Sequence, residues 1–165
     1  MSIAYHERGV PTCAVIHNPI TGDWYTAARG EGALANGRPA RVNSHDSVEQ
    51  TLVASGFYYD RGSLMESTFT ALQEFCREGA HGIRRMGAAS LDLCSVGCGQ
   101  FGVFFELQLS VWDFAAGRLF VEEAGGRVTT ITGDPIPTAK SSVLATNGKL
   151  HAAATRITSR FEGIT

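Results

Sequence analysis

At 165 residues, 44% of them hydrophobic and 18% charged, the sequence is long enough to bury a sizeable core and falls outside the disordered and fibrous classes. A formal charge of −2, with Lys and Arg scattered rather than clustered, offers no surface for a phosphate backbone or an anionic membrane, so nucleic acid is not an expected partner. No apolar run approaches the roughly 18 residues of a membrane span, and residues 1–7 lack the basic-then-apolar order of a signal peptide; a cytoplasmic protein is expected.

Residues 2–7 already read as a strand. Residues 12–17 and 23–28 follow it, separated by the turn formers Asn18, Pro19 and Gly22, which gives an antiparallel meander of three strands. Asn36-Gly37 is a hairpin signal, and so short a meander looks like part of a larger sheet. From about Val48 the pattern changes to alternating strand and helix. Residues 51–56 read as a buried strand; Ser63 and Glu66 suggest a capping box ahead of a helical stripe of Met65, Phe69, Leu72 and Cys76 that ends at Gly79. A short strand at 83–86 precedes a helix over 88–98, and residues 101–106 are apolar without alternation, as in a strand covered on both faces. A helix over 112–124, a strand at 127–131, a turn at Gly133-Asp134-Pro135, a strand at 142–146 and a helix over 148–158 complete the chain. Strands alternating with helices imply a layered α/β sheet.

The four cysteines, Cys13, Cys76, Cys94 and Cys98, include no Cys-x-x-Cys pair and lie mostly in apolar periodic segments; buried free thiols are expected, and zinc is not. His6, His17, His45, His81 and His151 have no second ligand at helix-face spacing and read as structural or exposed.

The stretch richest in chemical information is Val111-Trp112-Asp113-Phe114-Ala115-Ala116-Gly117, continuing to Glu122-Glu123-Ala124-Gly125-Gly126. Trp112, Ala116, Leu119 and Phe120 recur at helical spacing, and the glycine pair stops the helix. Asp113 at its start is either an N-cap or an ionised carboxylate able to face a cation. Gly87-Ala88-Ala89-Ser90 opens another helix with almost no side chain in the way, either for tight packing or to leave bare amides for an anion or hydroxyl. Glu106 ends an apolar strand, where it either faces water or emerges at the mouth of the sheet, the position where open α/β sheets bind ligands. Asp92 reads as solvent-facing or as an interhelix contact, one of Glu122 and Glu123 as a structural hydrogen-bond acceptor, and Asp134-Pro135-Ile136 as a turn.

Trp-Asp-x-Ala-Ala-Gly followed by Glu-Ala-Gly-Gly resembles the C-terminal signature of the inositol monophosphatase family, and the likeness runs from about Ser2 to Thr158. The resemblance implies a layered α/β/α sandwich of the carbohydrate-phosphatase fold: residues 1–47 would be antiparallel strands left from an N-terminal α+β domain, and 48–165 the C-terminal α/β domain. It implies Mg²⁺-dependent hydrolysis of an inositol monophosphate or similar polyol phosphate by metal-activated water, without a phosphoenzyme. Asp113 would bind the metal and touch substrate. Gly87, Ala88 and Ala89 would contact the sugar ring, with only the amide serving at Ala88, where relatives carry Ser or Thr. Glu106, seven residues before Asp113, would accept hydrogen bonds from inositol hydroxyls. The family's other signature, Asp-Pro-x-Asp-Gly-Thr with an upstream Glu-Glu pair, is absent from this sequence. Met1 falls where relatives have an apolar residue in mid-strand, so a truncated and inactive half of a dimeric enzyme is expected; the alternative is a non-catalytic interaction or oligomerisation module.

Overall fold

A computed structural model describes residues 1–58 and 61–161. The N-terminal quarter forms one antiparallel sheet of five strands in sequence order: β1 (Ser2–Glu7), β2 (Val10–Asn18), β3 (Asp23–Ala28), β4 (Gly32–Ala35) and β5 (Arg38–Pro39). The three expected strands are present, and the Asn36-Gly37 pair adds the β4–β5 hairpin because both residues take positive φ, 50° and 74°, as a two-residue turn requires.

The second sheet has the order β7-β6-β8-β10-β9, built from β6 (Leu52–Ser55), β7 (Gly82–Arg84), β8 (Val103–Leu109), β9 (Arg127–Thr129) and β10 (Ser141–Thr146). β7, β6 and β8 run parallel through helical crossovers, whereas β10 pairs antiparallel with both β8 and β9. The helices are α1 (Ser63–Arg77), α2 (Ala89–Gly97), α3 (Val111–Glu123) and α4 (His151–Thr158). Helices and sheets alternate in layers. α1 and α4 cover one face of the second sheet, where Phe75, Val103, Phe105, Leu144 and Ile157 share a core. α2 and α3 cover the other, with Leu93, Phe104, Phe114 and Val143. The opposite side of α2 and α3 receives the meander, through Ile16, Ala27, Cys94, Leu119 and Phe120. Helices buried on two sides must pack closely: a β-carbon on Gly117 would lie 2.6 Å from the Leu93 side chain, and one on Gly97 the same distance from the Phe120 ring.

Several local expectations need correcting. Gly62, not Ser63, caps α1, so no capping box forms there, and the helix buries Thr68, Ala71, Leu72 and Phe75 while Phe69 and Cys76 face outward. Phe69 instead stacks on Phe57 at 4.9 Å, a contact outside the helical period. Trp112 is 70% exposed, although its neighbour Val111 packs against the core between α3 and the second sheet. Cys13 and Cys76 are exposed, and only Cys94 is fully buried. Of the histidines, His151 is the one locked in the core, with Nε2 2.9 Å from Thr129 Oγ1 and Nδ1 3.0 Å from Thr146 Oγ1; burial and then Arg127 depress its pKa to about 4.

Both glutamates at the end of α3 are used. Glu122 pairs with Arg118 at 2.8 Å, one turn back. Glu123 accepts from the amides of Gly30 and Gly32, each at 2.9 Å, and so fastens the β3–β4 turn to the helix. Thr130 and Asp134 close the expected turn after β9.

Candidate functional site

Where β6 stops, the parallel sheet opens. Ser55 pairs with Phe105 as the last rung, and beyond it Gly56, the loop before α2, β8 and the first turn of α3 enclose a cleft of about 420 Å³. Its walls include Gly87, Ala88, Ala89, Glu106 and Asp113, so the structure brings together every residue singled out from the sequence as a site candidate. Gly56, Arg85 and Trp112 line it as well.

Asp113 is not the N-cap. Ser110 caps α3, and Asp113 is the third helical residue of a capping box in which its Oδ2 accepts from the Ser110 amide at 3.1 Å. One oxygen thus serves the helix, and among the described residues the other makes no hydrogen bond.

Glu106 does not end its strand, because β8 runs on to Leu109 while β10 still pairs alongside, Val143 opposite Glu106. It lies one residue past the end of β6, on the face that carries Phe104 toward α2 and α3. There it is only 8% exposed and faces the cleft rather than open water. Burial first, then the neighbouring Asp92 and Asp113, push its pKa up to about 8, against the opposing pull of Arg85. Gly56 makes room for it: a β-carbon there would sit 2.2 Å from Glu106 Oε1.

The small residues before α2 leave its start open. Ala88 is the N-cap and has no side-chain group to bond the first-turn amides; among the described residues those of Ala89 and Ser90, which line the cleft, have no intrahelical partner, while Leu91 N donates to Ala88 O at 2.9 Å. Gly87 takes φ 109°, a conformation only glycine adopts readily, and the Arg85 Nη1 lies 3.1 Å from where its β-carbon would be.

Of the two readings of Asp92, the solvent-facing one does not hold. It is 1% exposed, with both carboxyl oxygens buried and, among the described residues, without a hydrogen-bond partner, and burial raises its pKa to about 7 while Arg85 opposes the shift. Its flanks, Leu91 on one side and Leu93-Cys94 on the other, were the available sign that this face of the helix is covered. Arg85 and Gly56 carried no comparable signal, because their importance depends on which strand ends beside them.

Among the described residues, no three His, Cys, Asp or Glu side chains come together to hold a metal ion. No helix is long and apolar enough to cross a membrane.

The sequence matches the inositol monophosphatase family over residues 1–162. It is 40% identical over 159 residues to the putative Nus factor SuhB of Neisseria meningitidis, covering 96% of this chain and 60% of that protein. It is 36% identical over 153 residues to the inositol-1-monophosphatase of a Synechocystis strain, covering 92% and 52%. The solved inositol monophosphatase of Anabaena superposes with a TM-score of 0.88 at 35% identity, covering 96% of this chain and 63% of that one. The SuhB protein of Bartonella henselae superposes at 0.89 and 36% identity, covering 99% and 61%. The chain spans about half to two thirds of the length of the relatives it matches. With its mixed α/β layers and its Trp-Asp helix, it belongs to the inositol monophosphatase family.

Proposed function

We propose that this chain supplies the substrate side of a Mg²⁺-dependent phosphomonoesterase site that takes an inositol monophosphate or a similar polyol phosphate. The observation that carries this reading is the convergence of Asp113, Glu106 and the Gly87–Ala89 turn on one cleft. Glu106 suits ring hydroxyls, since a largely buried carboxyl without a hydrogen-bond partner among the described residues gains most from a ligand that brings donors. The open amides before α2 suit hydroxyl or phosphate oxygens. Asp113 would hold the metal through its uncommitted oxygen.

Mg²⁺ demands near-octahedral oxygen coordination. One carboxylate oxygen does not meet that demand, and the described residues hold no cluster that would complete it. The donor set is thus not a magnesium site by itself, and the chain alone is expected to bind the ion weakly and to release no phosphate above blank. Other family relatives that this chain resembles bear the name inositol-1-monophosphatase, which supports the substrate class. Titration of myo-inositol 1-phosphate by calorimetry, with and without Mg²⁺, tests the assignment. Asp113→Asn should remove the metal-dependent part of the affinity; unchanged metal dependence would take Asp113 out of that role.

A second reading, a non-catalytic interaction module, is favoured by the outer face of the meander, where Ile3, Tyr5, Trp24 and Leu34 are all exposed. It requires concentration-dependent self-association or dimerisation, which sedimentation velocity would detect; a monomer at all concentrations argues against it.

A further inference from the structure

Phe69 faces outward from α1, 50% exposed, and among the described residues its ring contact is with Phe57: the two rings stack with centroids 4.9 Å apart and 27° between their planes. Phe57 also packs against the core under α1, so its ring is supported from two sides. Held in this way, it stands in the wall of the cleft, in the position after Gly56. Glu106 lies against Gly56, its Oε1 2.2 Å from where a β-carbon would be. An aromatic ring and a largely buried carboxyl therefore meet the cleft at consecutive backbone positions. At about 420 Å³ the cleft falls within the size range of small-molecule pockets, in which apolar walls and a few placed polar groups divide the work of recognition.

A carboxyl takes hydroxyl donors, and the face of an aromatic ring takes C–H bonds. A cyclic polyol in its chair form offers both, hydroxyls around its rim and axial C–H bonds on its faces. An open-chain polyol phosphate has no such face ready and must give up conformational freedom to make one. We propose that Phe57 is a specificity-determining residue of the cleft: its ring packs on the C–H face of a cyclic polyol while Glu106 accepts from the hydroxyl rim, so that ring-shaped phosphates are favoured over open-chain ones. The inference rests on the polyol phosphate reading of the cleft and narrows it.

Calorimetry on the whole chain at pH 9 with Mg²⁺, comparing myo-inositol 1-phosphate with glycerol 3-phosphate, reads the effect as a ratio of two affinities. Both probes carry one phosphate monoester, so a change in phosphate or metal contacts, or a general loss of stability, moves both affinities together and leaves the ratio in place. The unmodified chain should favour the inositol ester. Phe57→Leu, which keeps apolar bulk and removes the flat face, should reduce that preference about fivefold. Nuclear Overhauser contacts between the C–H protons of bound myo-inositol 1-phosphate and the Phe57 ring protons should be present in the unmodified chain, a readout that needs no variant to fold. If the unmodified chain binds neither ester, the polyol phosphate reading and this inference fall together. If it binds but does not favour the inositol ester, if Phe57→Leu keeps the full ratio, or if those contacts are missing, the inference alone is overturned.

Discussion

Replacing Gly56 with alanine puts a single methyl group into the space that Glu106 occupies. The new carbon would lie 2.2 Å from Oε1, 2.5 Å from Cδ and 2.8 Å from Oε2, so the carboxyl must rotate out of its present position. Gly56 has no positive φ, and the backbone itself accepts alanine. The unfolded chain loses freedom, which stabilises the fold by about 0.4–1 kcal/mol, while crowding costs about 1–3 kcal/mol; the net destabilisation is on the order of 1–2 kcal/mol. That is small against the roughly 5–15 kcal/mol that holds a domain folded. Binding should suffer more. At pH 9, above its pKa of about 8, Glu106 is ionised, and displacing it removes at least one hydrogen bond between ligand and a charged group, worth about 1.5–3 kcal/mol, or roughly 10- to 150-fold in affinity. Calorimetry with myo-inositol 1-phosphate gives the affinity, and urea unfolding of the same samples gives the stability. In a Glu106→Gln background, Gly56→Ala should weaken binding little further, because the group it displaces is already altered. A Gly56→Ala protein that stays folded and binds as tightly as the original would refute the role assigned to Glu106.

Stability should vary with pH on two limbs. Asp92 and Glu106 hold their protons in the folded state up to about 7 and about 8, whereas the unfolded chain releases them near 4, so their contribution is complete at low pH and is lost as pH rises through that window. His151 has the opposite sign: its folded pKa of about 4 lies below its ordinary value, so its contribution is present above about pH 6.5 and is lost as pH falls toward 4. The two effects oppose each other between about 4 and 6.5. Urea midpoints measured from pH 4 to 9 should therefore fall between about 6.5 and 8, and Asp92→Asn with Glu106→Gln should flatten that decline; an unchanged slope would show that these carboxyls ionise normally.

The strands and helices were largely legible in the sequence because their apolar periods are long, as in β8 and α3. The faces were less so. α1 turned a different side inward from the one its Met65-Phe69-Leu72-Cys76 stripe suggested, since the aromatic at 69 found a partner in Phe57 beyond the helix's own period. The residues of the cleft were readable where a local motif marks them, as at Asp113 and the Gly87 turn. The burial of Asp92 was not legible, because the groups around it come from β8 and the loop before α2, which only the fold brings against that face of the helix. Gly56 matters only because of what stands opposite it, a relation no single stretch of sequence records.

The grip of Glu123 on the amides of Gly30 and Gly32 has a mechanical consequence. One end of α3 is anchored in the meander by that carboxylate, while Asp113 lies in its first turn, and the ten residue steps from one to the other span about 15 Å. A helix packed on both flanks transmits tilt as a stiff rod. Loosening the β3–β4 turn would therefore be felt at the mouth of the cleft, and the amides of both regions are expected to exchange as one cooperative unit.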